Sequence, residues 1–168
     1  WSEEKLSLIE KISKEAQKNG KTCILQSSNA IKGTSQAIAY CKNKEIAFDL
    51  IGPSKNIKLL RELSTYDKFI FMPQVLETLS RIVVEAKMLN CKVLTKPKMI
   101  GAASEEWFSL SGQELIDTIR AKVSSAFKLF EELIEENKDN TPVDITVILN
   151  CYRRPQNLRK QIKSIREQ

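Results

Sequence analysis

The chain contains no histidine. A histidine general base, a Ser-His-Asp triad and a histidine-type zinc site are therefore excluded within these 168 residues. The four cysteines (Cys23, Cys41, Cys91 and Cys151) are scattered, with no C-x-x-C pair and no regular spacing. They read as reduced, mostly buried small residues of a reducing compartment, with no ligand cluster for a metal. Aromatic residues make up only 7% of the chain, and Tyr152 is the one aromatic among the C-terminal arginines. Nucleic-acid binding by base stacking ranks low on that count. No run of about 18 apolar residues is present, so no membrane span is expected. The N-terminus opens on the polar "WSEEK", without the pattern of a signal peptide. A start at Trp1 rather than Met suggests a chain already cut or incomplete. No internal repeat or low-complexity tract stands out.

What is there suits one ordinary soluble domain with a real core: 42% hydrophobic and 29% charged residues over 168 positions. A net charge of +6 favours acidic partners such as phosphates or anionic headgroups. Much of the excess sits in the C-terminal "CYRRPQNLRKQIKSIREQ", which a solvated basic helix would also explain. A cytoplasmic location follows, with the basic surface suited to peripheral association at the inner face of a membrane.

Helices and strands alternate along the chain. "SEEKLSLIEKISKEAQKNG" predicts an amphipathic helix capped by Ser2, with Glu3 and Glu4 at its positive end and Leu6, Ile9, Ile12 and Ala16 at helical spacing. Gly20 suits its end. "TCILQ", "IAFDLIG", "KFIFMP" and "KVLT" read as short strands. Between them lie helices through Ala37 and Ala39, over "NIKLLRELSTY" and over "TLSRIVVEAKMLN". That order predicts βαβ units and a parallel sheet covered on both faces, a Rossmann-like α/β fold. A long helix from Gly112 to Asn137 should follow, its apolar stripe running through Leu115, Ile116, Ile119, Val123, Phe127, Phe130 and Ile134. The domain is expected to span 1–136, with a polar linker at 137–143. A last strand, "ITVILN", and a basic helix would fill 144–168, either as the start of a second domain or as an addition to the first sheet. Ligands of open α/β sheets bind beyond the carboxyl ends of the strands, which selects the loops "SSNAIKG", "GPSKN", "MPQVLET" and "TKPKMIGAASEE".

One stretch, "ETLSRIVVEAKMLNCKVLT", carries Glu77 and Glu85 eight positions apart. With Thr78 as N-cap, the amides of Leu79, Ser80 and Arg81 lack intrahelical partners and can hold an anion. Glu85 then falls within roughly 20° of Thr78 around the helix, just outside the core arc of Leu79, Ile82, Val83, Ala86 and Leu89. A rise of about 12 Å from Glu77 to Glu85 suits a long ligand with hydroxyls at both ends and phosphates between. An ordinary surface offers a second explanation: Arg81 and Glu85 form an i,i+4 pair, and Glu77 is a loop residue beside a cap.

At these residues the chain resembles the donor-binding half of GT-B glycosyltransferases of family 4 (group 1). "KFIFMPQVLETLSRIVVEAKMLNCKVLT" is similar to their Glu-x7-Glu segment, Ala86 included. "GAASE" (Gly101 to Glu105) is similar to their "GGxxE" loop, and "NAIKGTSQAIAYCKNKEIAFDLIG" to the segment carrying "KG". The similarity runs over roughly Lys21 to Ile134. It implies the C-terminal half of a GT-B fold and a UDP- or GDP-sugar as donor, with no cofactor and no protein-held metal. It also implies roles. Lys32 would neutralise the donor diphosphate and Glu77 would hold hydroxyls of the transferred sugar; Glu85 would hold the ribose. The backbone at Thr78, Leu79 and Ser80 would cap phosphate oxygens, with Gly33, Gly101 and Ala102 lining the donor loops.

Three departures stand out. Ser27 occupies the place of a family arginine, leaving Lys55, Arg81 or Lys96 to substitute for it; Ser80 replaces a glycine; and the stretch between Gly52 and Phe69 is short. The acceptor-binding half of the fold is absent, so this chain should not transfer a sugar alone. The tail "DITVILNCYRRPQNLRKQI" resembles the opening of a family 2 glycosyltransferase of GT-A type, with Asn150 and Tyr152 nearest the base but no Asp-x-Asp. The expectation is the donor half of a retaining hexosyltransferase within a larger, bifunctional polysaccharide-assembly protein, acting on a glycan or lipid-linked acceptor. The alternative is a degenerate, non-catalytic docking or oligomerisation module, marked by an exposed apolar patch.

Overall fold

A computed structural model describes residues 1–136 of the chain. The predicted linker, the "ITVILN" strand with Asn150, and the basic helix after Tyr152 lie outside the described residues. The chain divides into two compact units, Trp1–Lys128 and Leu129–Gln168. All four strands belong to the first.

Helix α1 (Glu3–Glu15) begins as expected, with the Ser2 hydroxyl accepting from the Lys5 amide and Glu3 and Glu4 in the first turn. It ends at Ala16, in extended backbone, before Gly20 is reached. Leu6, Ile9 and Ile12 are its buried face. Strand β1 (Thr22–Leu25) leads through a 3-10 turn at Ala30–Lys32 into α2 (Thr34–Asn43). Then come β2 (Asp49–Ile51), α3 (Asn56–Ser64), β3 (Lys68–Ile70), α4 (Arg81–Met88) and β4 (Lys92–Leu94). Three short 3-10 turns between Pro97 and Ser109 precede α5 (Gly112–Glu136).

The strands form one parallel sheet in the order β2-β1-β3-β4. This is a Rossmann-like α/β arrangement, as the alternation of strands and helices predicts. Side chains alternate along the two central strands. Cys23, Phe69 and Phe71 enter one cluster with Leu6, Leu60, Val84, Met88 and Ile116. Ile24, Ile70 and Met72 turn the other way, into a smaller cluster with Ala37 and Cys41 of α2. Both faces of the sheet are thus covered, the larger by α1, α3, α4 and the start of α5.

The predicted stripe of α5 holds for only half its length. Leu115, Ile116 and Ile119 are buried and Val123 packs on the core, but Phe127 is 66% exposed and Phe130 and Ile134 are exposed as well. Periodicity reports which residues share a helix face. It does not report how far the opposing surface extends, and among the described residues the core of the first unit ends at Val123.

The order of strands fixes where a ligand can sit. From β1 the chain moves outward to β2, then returns to place β3 on the other side of β1. The loops leaving β1 and β3 at their carboxyl ends therefore separate, and the crevice between them is the switch point at which α/β sheets bind ligands. Lys32 follows β1 and Glu77 follows β3.

Candidate functional site

The loop after β1 is built by its small polar residues. Ser27 Oγ accepts from the Asn29 amide, Asn29 Oδ1 from the Ile31 amide, and Thr34 Oγ1 donates to the Leu25 carbonyl at 2.8 Å. The Gln74 amide then donates to the Ile31 carbonyl at 2.8 Å, stitching this loop to the one after β3. Gly33, at φ +70°, is required at the join: a Cβ there would stand 1.6 Å from the Met72 carbonyl oxygen. Its role in this fold is to let the two loops touch, which presents Lys32 to Glu77.

Lys32 Nζ lies 2.8 Å from Glu77 Oε1, with the ammonium 5.9 Å from the centre of the Phe71 ring. The carboxylate is fixed from behind. The Glu77 amide donates to the Met99 carbonyl at 2.9 Å and the Glu77 carbonyl accepts from Gly101 at 2.8 Å, an isolated parallel bridge to Ile100. The Ala102 amide donates to the Thr78 carbonyl at 2.9 Å, and a Cβ on Gly101 would stand 3.1 Å from that same oxygen. Three segments distant in sequence, at Lys32–Gly33, Glu77–Thr78 and Gly101–Ala102, thus meet at the carboxyl edge of the sheet.

The cap differs from the expectation. Ser80, not Thr78, precedes the first residue of α4, and the helix begins at Arg81. Glu77 to Ser80 form a loop because the bridge to Ile100 holds that backbone extended, so the helical rise and angle expected between Glu77 and Glu85 do not apply. The amides without partners shift accordingly: among the described residues, those of Thr78, Leu79 and Ser80 donate to no acceptor. Ser80 is 1% exposed, and its hydroxyl likewise has no partner there.

Glu85 occupies a different environment from the one its spacing suggests. It is 2% exposed, covered by the start of α1. Trp1 Nε1 donates to Glu85 Oε1 at 3.1 Å, and Lys5 Nζ stands 4.0 Å from the same oxygen. The expected i,i+4 pair with Arg81 is replaced by this pair with Lys5, because α1 packs across α4 and brings its own cation. Lys5 also donates to Asn56 Oδ1 at the start of α3. Partial burial pushes the Lys5 pKa down, Glu85 pulls it up, and the nearby Arg81 charge pushes it down again.

Beside this cluster is a cavity of about 570 Å³ lined by Trp1, Ser2, Lys5, Asn56, Leu79 and Arg81. Sequence reasoning missed it. Glu85 meets Trp1 across a separation of 84 residues, and a helical period cannot say which neighbour a helix face will meet. The amphipathic start of α1 gave the available signal, since Lys5 adjoins Leu6 of its apolar stripe. Of the cations offered in place of the arginine at Ser27, Arg81 belongs to this cavity. No group of metal-ligating side chains occurs among the described residues, and no described helix is long and apolar enough to cross a membrane.

No protein-family model, no curated protein and no solved structure matches the chain.

Proposed function

We propose that the chain is the nucleotide-sugar-binding half of a retaining glycosyltransferase, which takes a UDP- or GDP-sugar as donor. A larger protein would supply the half that binds a glycan or lipid-linked acceptor. The observation that carries this reading is the convergence of Lys32, Glu77, the free amides of residues 78–80 and the Gly101–Ala102 turn at the switch point of a parallel sheet.

Each part fits a step of the chemistry. Glu77 keeps one oxygen for Lys32 and a second for sugar hydroxyls, and it is an acceptor only. Lys32 has further N–H donors beyond the one spent on Glu77, enough to reach a phosphate oxygen. Fixed positive charge and backbone amides stabilise a diphosphate as it departs, the moment at which its charge grows. Gly33 and Gly101 keep the backbones close enough for these groups to act on one ligand.

Calorimetric titration of the folded chain with UDP, GDP and their sugar conjugates tests this reading. Saturable binding that weakens about tenfold or more in Lys32→Ala is expected, since a charge-assisted contact to phosphate is lost. Absence of binding by every nucleotide would overturn it.

The second reading is a transferase-like module used for docking. The exposed Phe127, near the end of the first unit, supports it. It predicts concentration-dependent self-association or partner binding, together with indifference to nucleotides.

A further inference from the structure

We propose that the cavity under the first turn of α1 is a nucleotide pocket in which Trp1 meets the base while Lys5 and Arg81 meet phosphate, with Glu85 holding Trp1 and Lys5 in place. The inference rests on the nucleotide-sugar reading and specifies it. It also departs from what the family resemblance implies, because Glu85 here is a positioning residue and not the ribose ligand.

Four observations converge. The cavity, at about 570 Å³, lies within the range of about 300–1,000 Å³ common to small-molecule sites. Its charge is unbalanced: Arg81 joins no ion pair among the described residues, and Lys5 is near enough to feel its repulsion. The helix ends add to the imbalance. Neither α3 nor α4 carries an acidic residue in its first turn, and α4 opens on Arg81, a cation at the positive end of a helix dipole. An anion in the cavity relieves all of these at once. Finally, Trp1 lines the same space: its N–H is committed to Glu85 and part of its half-buried indole packs on the core, which leaves the remaining ring edge and face toward the cavity to meet a flat partner.

The location fits an elongated ligand. Leu79 lines the cavity two positions after Glu77, so the loop with the free amides has the Lys32–Glu77 pair at one end and the pocket at the other. A base against Trp1, phosphates over the amides and Arg81, and a sugar at Glu77 lie in that order along one loop. Glu85 is held back from the ligand by burial and by the contacts to its Oε1. At 2% exposure it already accepts from Trp1 and faces Lys5, and its displacement would release both.

Trp1 and Trp107 are the two tryptophans, so Trp107→Phe makes Trp1 the sole indole reporter. In that background, UDP, GDP, 2′-deoxy-UDP and inorganic pyrophosphate are titrated with fluorescence and calorimetry in parallel. The expected result is saturable quenching of Trp1 by UDP or GDP, with affinity weakened about tenfold or more in Arg81→Gln. 2′-Deoxy-UDP should bind within about twofold of UDP, because no carboxylate lines the pocket. Trp1→Leu should weaken the nucleotides and leave pyrophosphate binding unchanged. Nucleotide binding by calorimetry without any change at Trp1, and unaltered in Arg81→Gln, would overturn the pocket while leaving the donor-binding reading intact. So would a tenfold preference for UDP over its deoxy form that vanishes in Glu85→Ala. Absence of all nucleotide binding would overturn both.

Discussion

Glu77 and Glu85 stand eight residues apart, each beside a lysine, yet they occupy opposite environments. Glu77 sits on a loop at the edge of the sheet, its side chain 14% exposed, paired at 2.8 Å with a lysine that is itself 35% exposed. Glu85, on α4, is covered by the start of α1 and serves as acceptor for the indole N–H of Trp1, 84 residues away. Each has one oxygen engaged, but one carboxylate is held from behind by its own backbone at the open edge of the sheet, while the other is buried. Spacing cannot decide such a difference. What decides it is whether a second element lies across the face on which the side chain projects.

The largest change should come from Gly33→Ala, which breaks the Glu77 side of the comparison at its support. The substitution asks for a left-handed backbone and places a methyl 1.6 Å from the Met72 carbonyl. Strain and overpacking together should cost about 3–5 kcal/mol. Urea denaturation should show that loss, and nucleotide binding should disappear with it. Glu85→Ala comes next. It strands the Trp1 N–H and leaves Lys5, 19% exposed, without its carboxylate. Breaking a fully buried pair costs about 3–5 kcal/mol, and because Lys5 still reaches water the expected loss is about 2–3 kcal/mol. A red shift of Trp1 emission in the folded Glu85→Ala protein should accompany it, since the indole is no longer tethered. An unshifted spectrum with unchanged stability would mean that Glu85 is not the anchor of α1.

Much of the fold was legible because it is written in short-range pattern. Short apolar runs between helical periods mark β1 to β4 and the helices between them, and Ser2 caps α1 where a helix cap should stand. The parallel sheet followed from the alternation alone. At the site, the sequence pointed to Lys32, Glu77 and Gly101, and the structure brings all three segments together. What could not be read was set at long range. The bridge of Glu77 to Ile100 moves the start of α4 to Arg81, and the crossing of α1 over α4 buries Glu85. The far half of the α5 stripe misled for a related reason, since Phe127 has helical spacing but no opposing core among the described residues.

Glu77→Gln should produce the smallest loss of stability and the most informative loss of function. The partner Lys32 is one-third exposed, so solvent already screens the pair, and the amide keeps an acceptor for the ammonium. A cost of about 0.5–1 kcal/mol is expected in urea denaturation, well below that of Glu85→Ala. Ligand binding should reverse the ranking. If Glu77 holds the transferred sugar, Glu77→Gln weakens the sugar conjugate relative to the bare nucleotide, because an ionised acceptor is replaced by a neutral one against the same hydroxyls. UDP and its sugar conjugate should then bind with nearly equal affinity, whereas the unaltered protein prefers the conjugate. Equal weakening of both ligands would place Glu77 on the phosphates through Lys32, and the two lysine–glutamate pairs would differ in exposure alone, not in purpose.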